Sequence, residues 1–186
     1  MKTLQRLSLI FLLLVFCASV FAQEVNEQIM SEGVLNAQQL VASFKKKNKA
    51  QALWAERLAQ IYIEEAQAEG VNSDIAYAQM IQETGWLEFR GIVKAFQNNF
   101  CGLGATDSEH PGFTFDDERT GIRAHIQHLK AYASEEFLNN EKVDPRFHLV
   151  KRGSAPMLSD LKGKWAVDPS YDQKIRKILQ EMYHLM

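Results

Sequence analysis

The sequence is poor in cysteine, proline and glycine. Only Cys17 and Cys101 occur in 186 residues, and Cys17 sits in an apolar N-terminal run that reads as a cleaved leader. A mature chain holding Cys101 alone forms no internal disulfide, so its stability must come from packing. Four prolines and ten glycines are too few for a modular chain joined by linkers. Neither sign of charge dominates. Twenty-one basic against 23 acidic residues leave −2, without the basic excess that nucleic-acid binding needs, so no nucleic-acid partner is expected. No Walker loop, dinucleotide fingerprint or nucleophile elbow occurs, and Gly102-Leu103-Gly104 is too short and isolated to count as one. No cofactor is expected. Repeats, low-complexity tracts and βαβ alternation are missing too.

What remains is the composition of a soluble globular domain, 46% hydrophobic and 24% charged. Residues 1–22 read as a signal peptide. Lys2 and Arg6 form a positive start, Leu7 to Cys17 is apolar apart from Ser8, and Val20-Phe21-Ala22 offers a cleavage site. The run is short of the roughly 20 residues a bilayer span needs. Bulky Phe16 argues against lipid attachment at Cys17. Export to a periplasm, the cell envelope or the medium is therefore expected, as a monomer without a membrane span.

Residues 23–49 form an N-terminal segment with one short helix, in which Asn36 caps a face of Leu40, Val41 and Phe44. From residue 50 to 186 the pattern is that of one mostly α domain. Leu53, Trp54, Leu58, Ile61, Tyr62 and Ala66 recur at three- and four-residue steps over residues 51–69, and Gly70 closes that helix. Asn72-Ser73-Asp74 caps the next helix, which ends near Gly85. Phe89, Ile92, Val93 and Phe96 suggest a further short helix. Around Phe113-Thr114-Phe115 the glycine-punctuated sequence predicts a small β-hairpin or irregular lobe. Ile122, Ile126, Leu129 and Ala133 mark another helix, and Asp168-Pro169-Ser170 starts the last, with Asp168 as cap and Pro169 at its first position.

Several residues carry possible chemistry. His125 and His128, three apart on a helix, invite a metal reading, but the four-residue spacing and glutamate of zincin helices are missing. A hydrogen-bonded core histidine is the plainer reading, and no metal is expected. Cys101 has histidines as candidate bases but no local cysteine-protease signature, which favours a buried packing role. Glu83 is more informative. The last turn of a helix and the apolar Trp86 both disfavour its ionised form. A carboxyl kept protonated near neutral pH is what protonation of a glycosidic oxygen requires. Trp86 also offers a flat face to a sugar ring. Taken alone, Glu83 reads first as a surface glutamate beside a core tryptophan.

Longer motifs change that weighting. Ala78-Gln79-Met80-Ile81-Gln82-Glu83-Thr84-Gly85-Trp86, Asn98-Asn99-Phe100-Cys101-Gly102-Leu103-Gly104-Ala105 and Trp165-Ala166-Val167-Asp168-Pro169-Ser170-Tyr171 follow one another in the chain. In type and order they resemble three segments of the bacterial endo-β-N-acetylglucosaminidases of glycoside hydrolase family 73, the autolysin and flagellar-hydrolase type. The resemblance covers most of the chain beyond Ala50. It implies a lysozyme-like fold with a small β-hairpin lobe, a groove, and cleavage of β-1,4 bonds after N-acetylglucosamine in peptidoglycan or a related glycan. Glu83 falls on the family's catalytic acid and Tyr171 on its groove tyrosine, with Trp86, Asn99 and Trp165 as further substrate-binding candidates. Cys101 stands where the family has phenylalanine.

The partner carboxylate is less defined. Glycosidases commonly pair two acids, close for retention and farther apart for inversion. The region downstream offers Asp107, Glu109, Asp116, Asp117 and Glu118, of which Asp117 is the first choice; its plain reading is a helix cap. Attack by the substrate's own 2-acetamido oxygen would need no second acid. Competing functions are a lytic transglycosylase on the same fold, a glycan-binding module without turnover, a structural envelope protein, and an endoglycosidase acting on host N-glycans.

Overall fold

The computed structural model describes residues 25–185, so the leader expected over residues 1–22 lies outside it. The described residues form helices α1 (Ala37–Lys47), α2 (Ala52–Glu69), α3 (Ser73–Thr84), α4 (Glu118–Ala133) and α5 (Tyr171–Tyr183). Short 3-10 turns at Lys49–Gln51, Ala95–Gln97, Phe147–Leu149 and Leu158–Leu161 interrupt the connections. No described helix is long and apolar enough to cross a membrane.

Local signals start and stop the helices. Asn36 accepts the Gln39 amide at 3.0 Å while the Gln39 side chain accepts the Asn36 amide at 2.9 Å, a reciprocal cap on α1. Lys45, Lys46 and Lys47 fill its last turn, where cations complement the helix dipole. Asn72 accepts the amides of Asp74 and Ile75 and so starts α3. Gly85 ends α3 at φ 57°, a left-handed conformation that glycine adopts without strain.

Helix α3 is buried on nearly every face from Ser73 to Ile81, and such a helix belongs in the middle of a fold. Helices α2 and α5 pack against it, α4 and α1 pack on α2, and α1 also reaches α5. Leu40, Phe44, Leu58, Tyr62, Ile75, Met80, Ile126 and Leu179 are wholly buried in one continuous core. Two ionic pins tie α2 to α4. Buried Glu65 accepts from Arg119 and Arg123, each at 2.7 Å, and Glu69 accepts from buried Lys130 at 2.9 Å. Gly121, near the start of α4, lies directly under the Asn98 carbonyl; an added Cβ would meet that oxygen at 1.8 Å. This close approach seats the 97–104 loop on α4.

Three expectations need correction. The short helix expected over residues 89–96 shrinks to the 3-10 turn at its end, because Trp86, Leu87 and Phe89 take positive φ and leave the helical path. The last helix starts at Tyr171 rather than Pro169. The Asp168 carboxylate accepts the Ser170 amide at 2.8 Å and closes a separate turn before the helix. Residues 98–115 form an irregular lobe rather than a hairpin, with no strand among the described residues and only the antiparallel bridge Ala105–Pro111. Side-chain amides take the place of a partner strand. Gln97 Nε2 donates to the Pro111 carbonyl at 3.1 Å, and Asn99 Nδ2 donates to those of Leu103 and Phe113 at 2.9 and 3.0 Å.

Candidate active site

Glu83 occupies the last turn of α3, placed there by the Gly85 stop. It opens onto a cleft of about 300 Å³ whose walls include Phe89, Val93, Asn99, Gly102 and Trp165. An adjoining cleft of about 180 Å³ shares Trp165 and Gly102 and adds Arg146 and Tyr132. Gly102, at φ 69°, brings backbone rather than side chain to the acid; a Cβ there would lie 3.9 Å from Glu83 Oε2. Oε2 therefore lies on the side of the Gly102 backbone, which lines the same cleft. Oε1 accepts a hydrogen bond from the Tyr171 hydroxyl.

Glu83 is exposed along the cleft, yet the walls surround its carboxyl with protein. Concavity reconciles the two, since a water molecule reaches the group while little bulk solvent does. That desolvation pushes its pKa above the ordinary glutamate value. The Tyr171 hydrogen bond pulls the other way, as does Trp165, but burial wins. The carboxyl thus holds its proton to higher pH than a free glutamate. It can deliver that proton from Oε2 to an atom in the cleft.

The other sequence candidates separate. Trp165 lines both clefts and leans edge-on to His128, with ring centroids 5.0 Å apart. Tyr171 is buried and reaches Glu83 across 88 residues of chain. Asn99 lines the cleft, but its amide is occupied within the lobe, donating to two carbonyls and accepting the Leu103 amide at 2.8 Å. It shapes the wall. Trp86 does not line the Glu83 cleft; it packs on Phe44 at 5.3 Å, and its carbonyl accepts from Asn48.

Asp117 is the N-cap of α4, exposed, accepting the Thr120 amide at 2.7 Å. That bond chiefly holds its pKa below the usual aspartate value. It does not line the cleft. None of the other downstream acids, Asp107, Glu109, Asp116 and Glu118, lines this cleft either, and two of them are engaged elsewhere. Asp107 accepts the amides of Glu109 and His110, and Glu118 binds Arg57 and Trp54. Glu83 is the one carboxylate among the residues lining its cleft.

His125 and His128 are core groups. His125 lies between the Tyr62 hydroxyl, 2.9 Å from Nδ1, and Gln79 Oε1, 3.1 Å from Nε2. His128 Nδ1 lies 2.8 Å from buried Asp144. Among the described residues no group of three or more potential ligands could hold a metal ion. Cys101 is buried, and burial first, then the charges of Glu83 and Asp144, push its thiol well above the usual value, the opposite of an activated nucleophile. The residues sequence reasoning passed over are Gln79 and Tyr62. Gln79 Nε2 donates to the Tyr171 hydroxyl at 2.7 Å. Its place one turn before Glu83 on the same helix was the available signal.

Comparison with known proteins places the chain in a family. The model of a family called Glucosaminidase, described as mannosyl-glycoprotein endo-beta-N-acetylglucosaminidase, matches residues 59–184. An uncharacterized protein of Borreliella burgdorferi is 57% identical over 125 residues, covering 67% of this chain and 61% of that protein. The chain thus spans about three fifths of the length of this curated relative.

Proposed function

Since the chain belongs to the glucosaminidase family, we propose that it is an exported glycosidase cleaving β-1,4 bonds after N-acetylglucosamine in peptidoglycan, with Glu83 as general acid. The observation that carries this reading is the Glu83 carboxyl itself, held toward its protonated form by burial, one oxygen bound by Tyr171 and the other on the Gly102 side of the cleft. The proton passes from Oε2 to the glycosidic oxygen as the bond from that oxygen to the anomeric carbon breaks. The bonding pair leaves with the oxygen, and positive charge develops on the sugar ring. Water then supplies hydroxide to the anomeric carbon and returns a proton to Glu83, so each cut consumes one water.

With Asp117 capping α4 outside the cleft, the electron pair that first meets the anomeric carbon comes best from the substrate's 2-acetamido oxygen. The adjoining cleft extends the site along a chain of sugars. Arg146 on its wall suits the carboxylates of peptidoglycan better than a neutral mannosyl glycan. The same single carboxylate favours a second reading, a lytic transglycosylase. There the muramic acid's own hydroxyl replaces water, and the product is an anhydro end.

The test is Glu83→Gln. Glutamine is nearly isosteric and keeps an acceptor for Tyr171 but delivers no proton. Turnover should fall by at least about 10²-fold, since a positioned acid contributes about 10²–10⁴-fold. Binding to insoluble peptidoglycan should persist. Wild-type turnover in the folded variant would overturn the assignment, and tight binding without fragments from the unaltered protein would indicate a binding module.

A further inference from the structure

A buried line of hydrogen bonds runs from α2 through α4 and α3 to the acid. Tyr62 meets His125 at 2.9 Å, His125 meets Gln79 at 3.1 Å, Gln79 donates to Tyr171 at 2.7 Å, and Tyr171 donates to Glu83 Oε1. Tyr62, His125 and Gln79 have no solvent exposure and Tyr171 has 3%. Nothing in the proposed reaction requires the first three. We infer that Tyr62, His125 and Gln79 are positioning residues that fix the direction of this line, so that the Tyr171 proton points at Oε1 and the acid's own proton is confined to Oε2, facing the substrate. The inference rests on Glu83 being the acid.

The direction follows from counting donors and acceptors. Each link except the terminal ones both donates and accepts, so the line has two senses. In one, Tyr62 donates to His125 Nδ1, His125 Nε2–H donates to Gln79 Oε1, and the Gln79 amide donates to Tyr171. The Tyr171 proton is then left for Glu83. Every polar atom is used. In the other sense the Gln79 amide is flipped, His125 donates from Nδ1 to Tyr62, and Tyr171 donates back toward Gln79. The proton of Glu83 is then drawn onto Oε1, the wrong oxygen for the substrate. That sense strands the Tyr62 hydroxyl proton in the core, where its only hydrogen-bond neighbour is the now-donating His125 nitrogen. Tyr77, which packs edge-on to Tyr62, spends its hydroxyl on the Ala55 carbonyl and offers no alternative.

For the line to hold its sense, His125 must stay neutral. Burial, helped by neighbouring His128, lowers its pKa to about 3, so it carries no charge near neutral pH. The titratable groups around Glu83 are Tyr171 from α5, Tyr62 from α2 and Cys101 from the lobe, all raised by burial and therefore neutral there. The alkaline limb of activity consequently reports Glu83 itself.

Tyr62→Phe keeps the ring packing and removes the proton that sets the direction. His125→Leu removes the link, and His125→Gln restores a donor toward Gln79. In kcat and KM measured on purified peptidoglycan across pH, Tyr62→Phe should lower kcat by about tenfold, the factor that one hydrogen bond's net preference carries. KM should hold, and the alkaline limb should move to higher pH as Tyr171 gives up part of its bond to the ionised acid. His125→Leu should do the same and His125→Gln should recover part of the loss. A merely structural role would lower the melting temperature and leave the limb in place. Folded Tyr62→Phe with wild-type kcat and an unmoved limb overturns the inference, whatever His125→Leu does. Glu83→Gln in the same assay separates the two levels: if inactive, only the positioning role has failed, and if active, the acid assignment has failed first.

Discussion

Replacing Gly121 by alanine probes the contact that carries the lobe. In the first turns of α4 an added Cβ would stand 1.8 Å from the Asn98 carbonyl oxygen and 2.9 Å from its carbon. Carbon and carbonyl oxygen ordinarily approach to about 3.3 Å, so the backbone would have to move by about 1.5 Å. It is poorly free to do so. Asn98 Nδ2 donates to the Phe115 carbonyl at 3.0 Å, and the Phe115 amide donates to Gln97 at 2.9 Å. Overpacking costs about 1–3 kcal/mol, and a backbone partner places this case near 3. Alanine returns about 1 kcal/mol in helix propensity. The net loss is about 2 kcal/mol, or about 4–8 °C in melting temperature for a domain of this size. Urea unfolding followed by circular dichroism measures it, with Gly91→Ala as the control. Gly91 has nothing within 4 Å of an added Cβ and should change stability by less than about 0.5 kcal/mol. Because the displaced loop leads into Asn99 and Gly102, kcat/KM should fall as well. A Gly121→Ala protein as stable as the original would refute the close approach.

Two further outcomes are expected. Cys101→Ser should retain activity within about tenfold, since the thiol is buried with its proton firmly held; a loss above about a hundredfold in a folded protein would mean a nucleophilic role. Burial opposes ionisation of Glu65, but Arg123 and Arg119 outweigh it and leave its pKa lowered, so its contribution to stability is present above about 4.5 and lost as pH falls through the folded value. Glu65→Gln should cost about 1–3 kcal/mol at pH 7, with the gap to the original protein closing in urea titrations as pH falls through the folded value. A gap independent of pH would contradict the ion-pair account.

The helices were legible because their signals are local. Asn36, Asn72 and Asp117 each bond an amide two or three residues away, and Gly70 and Gly85 stop helices by their own conformation. The place of Glu83 at a helix end was legible for the same reason, since it lies two residues before the Gly85 stop. The lobe was not. An alternating Phe113-Thr114-Phe115 predicts a strand only if a partner strand accepts its hydrogen bonds, and here the Gln97 and Asn99 side chains take the carbonyls first. Trp86 was hard to place in a similar way, since its position next to Glu83 in the sequence does not announce that it packs on Phe44 away from the Glu83 cleft. The hydrogen-bonded line behind Tyr171 joins residues 46 to 92 positions apart, and no local pattern announces such contacts. The motif that held Gln79 marked it without saying what it touches.

The central claim is that Glu83 protonates a glycosidic oxygen and that water completes the cut. Mass spectrometry of fragments released from purified peptidoglycan in ¹⁸O-labelled water tests it most directly. The account predicts fragments with reducing N-acetylglucosamine ends, each carrying one label at the new end, and none from Glu83→Gln. Unlabelled anhydro-muramic ends would contradict hydrolysis, and labelled fragments released by Glu83→Gln at the original rate would contradict the acid.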